Sequence, residues 1–247
     1  MMSAPSHRID RFATTRWSVV MHTAATASVD ARTALAELAQ RYWYPVYAYA
    51  RCCGHTPAIA EDITRSFLDH LMRDFRDGNA SAERGQFRRY LRERLDAFLG
   101  GDWREIVDIH GDGGPVPPAD LEERYLQDLP DAGSTTPAEA YERSFALEVI
   151  ARALRRLRSE AQRTGHSAMY AALEPFLARE PASGQLDATA QSLTSRPLAL
   201  VVALKRLRQR LRELVGEELA DTVSSRDELL AEQTALHAIL TRRGSAS

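Results

Sequence analysis

The chain has 247 residues, a formal charge of −2, and 44% hydrophobic against 27% charged side chains. That balance is enough to bury a core, and it excludes a disordered polyelectrolyte or a chain that holds nucleic acid by bulk positive charge. No apolar run reaches the length of a membrane span, and residues 1–16 lack the apolar centre of a signal peptide.

Thr14 or Thr15 can cap a short first helix with Trp17, Val19 and Val20. Asp30 opens a second helix, with Leu35, Leu38 and Tyr42 on one stripe. Pro45 predicts a kink or restart there, because it lacks an amide proton. Gly54 closes that segment. Thr56-Pro57 then reads as an N-cap with proline in the first helical position, and the helix runs to about Met72. A further helix, from near Arg84 to Gly100-Gly101, has Phe87, Leu91, Leu95 and Phe98 as its core face. Arg88, Arg89 and Arg92 are expected to turn away from that face. Segment 111–137, rich in Gly, Pro and Asp, reads as a flexible linker. Thr136 caps a helix through Arg158, and helices follow near 167–179, 185–193, 196–220 and 226–241. With no strand signal, the fold expected is all-α, in two helical domains.

The adjacent Cys52 and Cys53 make no disulfide framework, which fits a reducing, cytoplasmic setting. Cys52-Cys53-Gly54-His55 lacks the second ligand pair of a zinc site, so no metal is expected. The sequence holds no Gly-rich phosphate loop, nucleophile elbow or His-Glu-x-x-His motif. Neither enzymatic activity nor a cofactor is expected.

Residues 186–214 carry the strongest functional pattern. A short helix over 187–193 meets the turn Thr194-Ser195-Arg196, and Pro197 starts a long helix. At 100° per residue, Leu200, Leu204, Leu207, Leu211 and Leu214 share one stripe. Lys205, Arg208, Gln209 and Arg212 take the opposite side, with Arg206 at its edge. From Arg196 to Arg212 there are six basic residues and no acid. A helix-turn-helix needs this arrangement to place cations on phosphates and base edges. Val201, Leu198 and Val202 interrupt the basic side; they suit thymine methyls or another protein helix.

Several stretches together resemble extracytoplasmic-function sigma factors. In chain order they are Phe12-Ala-Thr-Thr-Arg-Trp-Ser-Val-Val20, Ala36-Glu-Leu-Ala-Gln-Arg-Tyr-Trp-Tyr-Pro-Val-Tyr-Ala-Tyr49, Gly54-His-Thr-Pro57, Ala60-Glu-Asp-Ile-Thr64, Glu83-Arg-Gly-Gln-Phe-Arg88, Tyr170-Ala-Ala-Leu-Glu-Pro-Phe-Leu177 and Leu204-Lys-Arg-Leu-Arg208. The resemblance implies a region 2-like domain over 10–112 that binds core RNA polymerase and the −10 promoter element. It implies a linker over 113–137 and a region 4-like helix-turn-helix domain over 138–220 that reads the −35 element. A C-terminal helix and tail follow over 221–247. The implied DNA contacts are Arg196, Lys205, Arg206, Arg208 and Arg212, with Arg88 and Arg92 near the −10 element. The implied polymerase-facing residues are Ile59, Glu61, Asp62 and Ser66.

The chain also departs from the family pattern. Two acids are missing from the polymerase-facing helix, at Ile59 and Ser66, and Arg65 adds a positive charge. A helical wheel places Ile59, Asp62, Ser66 and Asp69 on the outward ridge. A phosphate on Ser66, Thr64 or Thr56, added by a serine/threonine kinase, would restore the lost charge. Segment 100–108 holds one arginine and three acids where relatives are strongly basic. A sigma-like regulator that binds protein partners and has lost initiation activity is therefore the alternative. A plain helix-turn-helix repressor is a third reading.

Overall fold

The structure is a computed structural model and describes residues 29–77, 87–101, 103, 118–129, 132–223 and 225–241. Among these residues the fold is all-α. Nine helices are α1 (Val29–Cys52), α2 (Pro57–Arg76), α3 (Phe87–Gly100), α4 (Leu121–Asp128), α5 (Pro137–Arg163), α6 (Ser167–Leu173), α7 (Gln185–Ser192), α8 (Pro197–Ala220) and α9 (Arg226–Thr241). The expected helix around Trp17 lies outside the described residues. The chain divides into two compact units, 1–148 with 219–247, and 149–218.

In the first unit, α1 is the centre. Tyr42, Trp43, Tyr44, Val46, Tyr47 and Ala48 are all at most 1% exposed, so the helix is buried all round rather than along one stripe. It runs unbroken through Pro45. The aromatic burial on every side outweighs the one lost backbone hydrogen bond. Ile63, Phe67, Leu68 and Leu71 of α2, and Phe87, Leu91 and Leu95 of α3, complete the core. Thr56 caps α2 as its sequence implies, its hydroxyl accepting from the Ile59 amide at 3.4 Å. Thr136 and Glu139 form a reciprocal capping box at the start of α5. The Thr136 amide donates to Glu139 at 2.9 Å, and the Glu139 amide donates to the Thr136 hydroxyl at 3.2 Å.

The expected flexible linker is partly folded. Helix α4 lies within it and docks on α1, burying Leu121, Tyr125 and Leu129. Tyr44 donates to Asp128 at 2.8 Å, and the Arg124 guanidinium lies 3.7 Å from the centre of the Tyr44 ring. Tyr47 and Arg51 both donate to Glu122, at 2.6 Å and 2.7–2.8 Å. Those two groups hold the Glu122 carboxyl below the usual carboxylate range, with Arg51 acting most strongly. Gly and Pro in the flanks hid an eight-residue helix whose partners are seventy residues away.

The chain end also returns to the first unit. Arg41 pairs with Asp221 at 2.8 Å, and the Phe87 amide donates to the Thr222 carbonyl at 3.1 Å. The second unit is a smaller packing of the later half of α5 with α6, α7 and most of α8. Ala153, Leu157, Ala161, Tyr170 and Leu214 form one of its clusters. Leu173, Phe176, Ala190, Leu200 and Leu204 form the other. Among the described residues no helix is long and apolar enough to cross a membrane.

Candidate nucleic-acid interface

Helices α7 and α8 are joined by a tight turn. The Thr194 amide donates to the Gln191 carbonyl at 3.2 Å and the Ser195 amide to the Ala190 carbonyl at 2.9 Å. Thr194 takes a left-handed backbone, φ 51°, which turns the chain without glycine at a steric cost of about 1 kcal/mol. Leu200, Leu204 and Leu214 are buried, while Leu207 and Leu211 pack against the same clusters. The leucine stripe therefore faces inward.

The opposite face of α8 is open. Lys205, Arg206, Gln209 and Arg212 are exposed, as is Arg196 in the turn. Among the described residues no carboxylate pairs with any of these four cations; Arg212 donates to Gln209 at 3.1 Å. Arg208 departs from the expected row. It folds back to donate to the Phe176 carbonyl at 2.8 Å, the Arg179 carbonyl at 2.8 Å and Glu180 at 2.6 Å. Three acceptors at and just after the 3-10 turn Glu174–Phe176 engage its guanidinium through four hydrogen bonds, so it tethers that turn to α8. Arg210 is a structural residue that the sequence reading passed over. It bridges Glu160 at 2.8 Å, Glu213 at 3.1 Å and Glu217 at 3.2 Å. Its partner Glu160, drawn mainly by that guanidinium, sits below the usual carboxylate range. A glutamate fifty residues upstream cannot be assigned to an arginine from local spacing, so only folding reveals this pair.

On α2 the outward ridge is only partly as expected. Ile59 is 40% exposed, and Glu61 and Asp62 are half-buried. Ser66, expected outward, is 3% exposed, and Thr64 is fully buried with its hydroxyl donating to the Ala60 carbonyl at 2.7 Å. The buried face spans Ala60, Ile63, Thr64, Ser66, Phe67, Leu68 and Leu71, which is wider than the stripe of large apolar residues suggests. The acids that do face outward meet arginines of the same helix. Asp62 lies 3.5 Å from Arg65, and Asp69 lies 2.5 Å from Arg73.

Arg88 is the largest correction. The wheel turned it away from the core of α3, yet it is enclosed between α5 and α9. It pairs with Glu232 at 3.0 Å and with Glu142, and lies over the Phe145 ring at 5.2 Å. A wheel drawn for one buried face misses a second packed neighbour. Arg92 pairs with Glu142 at 3.2 Å and is one-third exposed. Trp103, beside the double glycine, is buried edge-to-face against His55 at 5.3 Å. Cys52 donates to the Thr135 carbonyl at 3.6 Å, and among the described residues no cluster of His, Cys, Asp and Glu could hold a metal. Comparison of the chain with protein-family models, curated proteins and solved structures gives no match.

Proposed function

We propose that this chain is an alternative sigma factor: it binds core RNA polymerase through the first unit and places α8 on promoter DNA, acting by positioning without covalent chemistry. The observation that carries the reading is the α7–turn–α8 helix-turn-helix. Its leucines are spent on the core, while Arg196, Lys205, Arg206 and Arg212 stay exposed and, among the described residues, unpaired by acids. Cations held on a rigid helix with no competing carboxylate are set to displace counterions from phosphates. The sequence resemblance supplies the polymerase as partner, and Ile59, Glu61 and Asp62 are the residues that would meet it. Of the three hydroxyls considered for phosphorylation, Ser66 and Thr64 are enclosed and only Thr56 is exposed. A phosphate at Thr56 would sit at the N-terminus of α2, where the helix dipole favours negative charge.

A second reading is favoured by a specific observation. The outward acids of α2 are matched by Arg65 and Arg73, and Arg88 is enclosed. Little net charge is left for a basic polymerase clamp, and one cation is removed from the −10 side. A sigma-like regulator that binds partners without initiating transcription fits those facts. Transcription from a genomic promoter library, with the full chain and bacterial core RNA polymerase, separates the two. The sigma reading expects discrete start sites that vanish when Lys205, Arg206 and Arg212 become alanine. Retention on polymerase with no initiation at any promoter supports the regulator instead.

A further inference from the structure

The exposed ridge of α8 has two chemically different halves. Leu198 is 73% exposed, Val201 48% and Val202 42%. They lie at the helical spacing i, i+3, i+4, and the same ridge continues through Lys205, Gln209 and Arg212. Three large apolar side chains thus stand in solvent at the start of the second helix of a helix-turn-helix, with cations on both flanks. Arg196 precedes them in the turn, and Lys205 and Arg206 follow.

We propose that Leu198, Val201 and Val202 are a thymine-methyl reader, so that the duplex element bound by α8 is selected through apolar contact rather than hydrogen bonding to base edges. This rests on the sigma reading above and adds the chemistry of its target. In a helix-turn-helix the first turns of the second helix meet base edges, and later residues run out along the backbone. The only apolar group a base pair presents in the major groove is the thymine C5-methyl. Leu198 to Val202 rise about 6 Å along the helix, which covers about two base steps. The flanking cations call for an anionic partner. Arg196, Lys205 and Arg206 are exposed on either side of the apolar patch, Arg212 is exposed further along the same helix, and no acid occurs between Arg196 and Arg212. An acidic amphipathic protein helix is the competing occupant; it would explain the charge but not the position at the leading turns of the motif.

The test uses the holoenzyme formed from the full chain and core RNA polymerase. Bound duplexes are selected from a random library, and each thymine in the upstream element is then replaced by uracil, which removes only the methyl. Loss of about fourfold in affinity per critical methyl is expected, since each buried methyl is comparable to a methylene in transfer free energy. Leu198→Ser with Val201→Ser, both at exposed positions, should keep the thermal midpoint and remove most of the thymine–uracil difference, Val202 alone remaining to meet a methyl. Affinity that is unchanged by uracil, with selection of the duplex intact, overturns the proposal and leaves the sigma reading standing. So does a double variant that keeps the full thymine–uracil difference. Failure of the holoenzyme to select any duplex overturns both.

Discussion

Arg88 has a side chain only 10% exposed and faces Glu232, which is 2% exposed. Burial pushes the Glu232 carboxyl above its usual range, partly offset by Arg88. Removing the arginine would strand that carboxylate without its counter-charge. Arg88→Ala should therefore cost about 3–5 kcal/mol, read from the urea midpoint. Arg89→Ala, at an exposed pair with Glu93, should change it by about 0.5 kcal/mol or less. Equal effects would show that the enclosure is wrong. Glu122 gives a second residue-scale prediction. Its pKa is depressed in the folded chain, so the unfolded chain takes up the proton first as pH falls. Its contribution is complete above the ordinary value of 4.5 and disappears as pH drops through the folded value. The urea midpoints of the wild type and Glu122→Gln should differ at about pH 6 and draw together as the pH falls below 4.5. A gap that stays constant over that range contradicts the account.

At the scale of elements, α2 is the helix on which the sigma reading places the polymerase contact. Ser66 is enclosed, so a charge placed there has no solvent. Ser66→Glu should lower stability by about 2 kcal/mol or more and weaken every function that needs the first unit. Ile59 is open to solvent at the first turn of the same helix. Ile59→Asp should leave the thermal midpoint within a few degrees and, under the sigma reading, lengthen the residence of the chain on core polymerase. A Ser66→Glu variant of wild-type stability would refute the packing assigned here. The same helix shows what was legible beforehand. Its cap at Thr56 and its stripe of Ile63, Phe67, Leu68 and Leu71 follow from spacing alone. The burial of Ser66 does not, because a small polar side chain gives no signal of how closely the surrounding chain approaches it. Helix α4 was missed for a related reason: Leu121 and Tyr125 are too few to stand out until Tyr44, Tyr47 and Arg51 are brought beside them.

For the whole molecule, a net charge of −2 means that, under the sigma reading, DNA binding must come from placement of cations rather than their number. With Arg196, Lys205, Arg206 and Arg212 as the phosphate contacts of α8, log affinity should fall with log salt at a slope of about −3 to −4 from this helix. Arg206→Ala should make that slope shallower by about one, whereas Arg208→Ala should leave it nearly unchanged and lower stability instead, as measured by binding titrations in several salt concentrations and by thermal unfolding. A full unit of slope lost with Arg208→Ala would restore it to the basic row. The sequence by itself determined the all-helical class of the described residues, the caps at Thr56 and Thr136, the short helix, turn and long helix of α7 and α8, and the inward leucines of α8, because caps and 3.6-residue periodicity are written within a few residues of each other. Only the tertiary structure decided which arginines remain available. The acceptors that engage Arg88, Arg208 and Arg210 lie between 3 and 144 residues away, and most of them come within reach only once the helices pack.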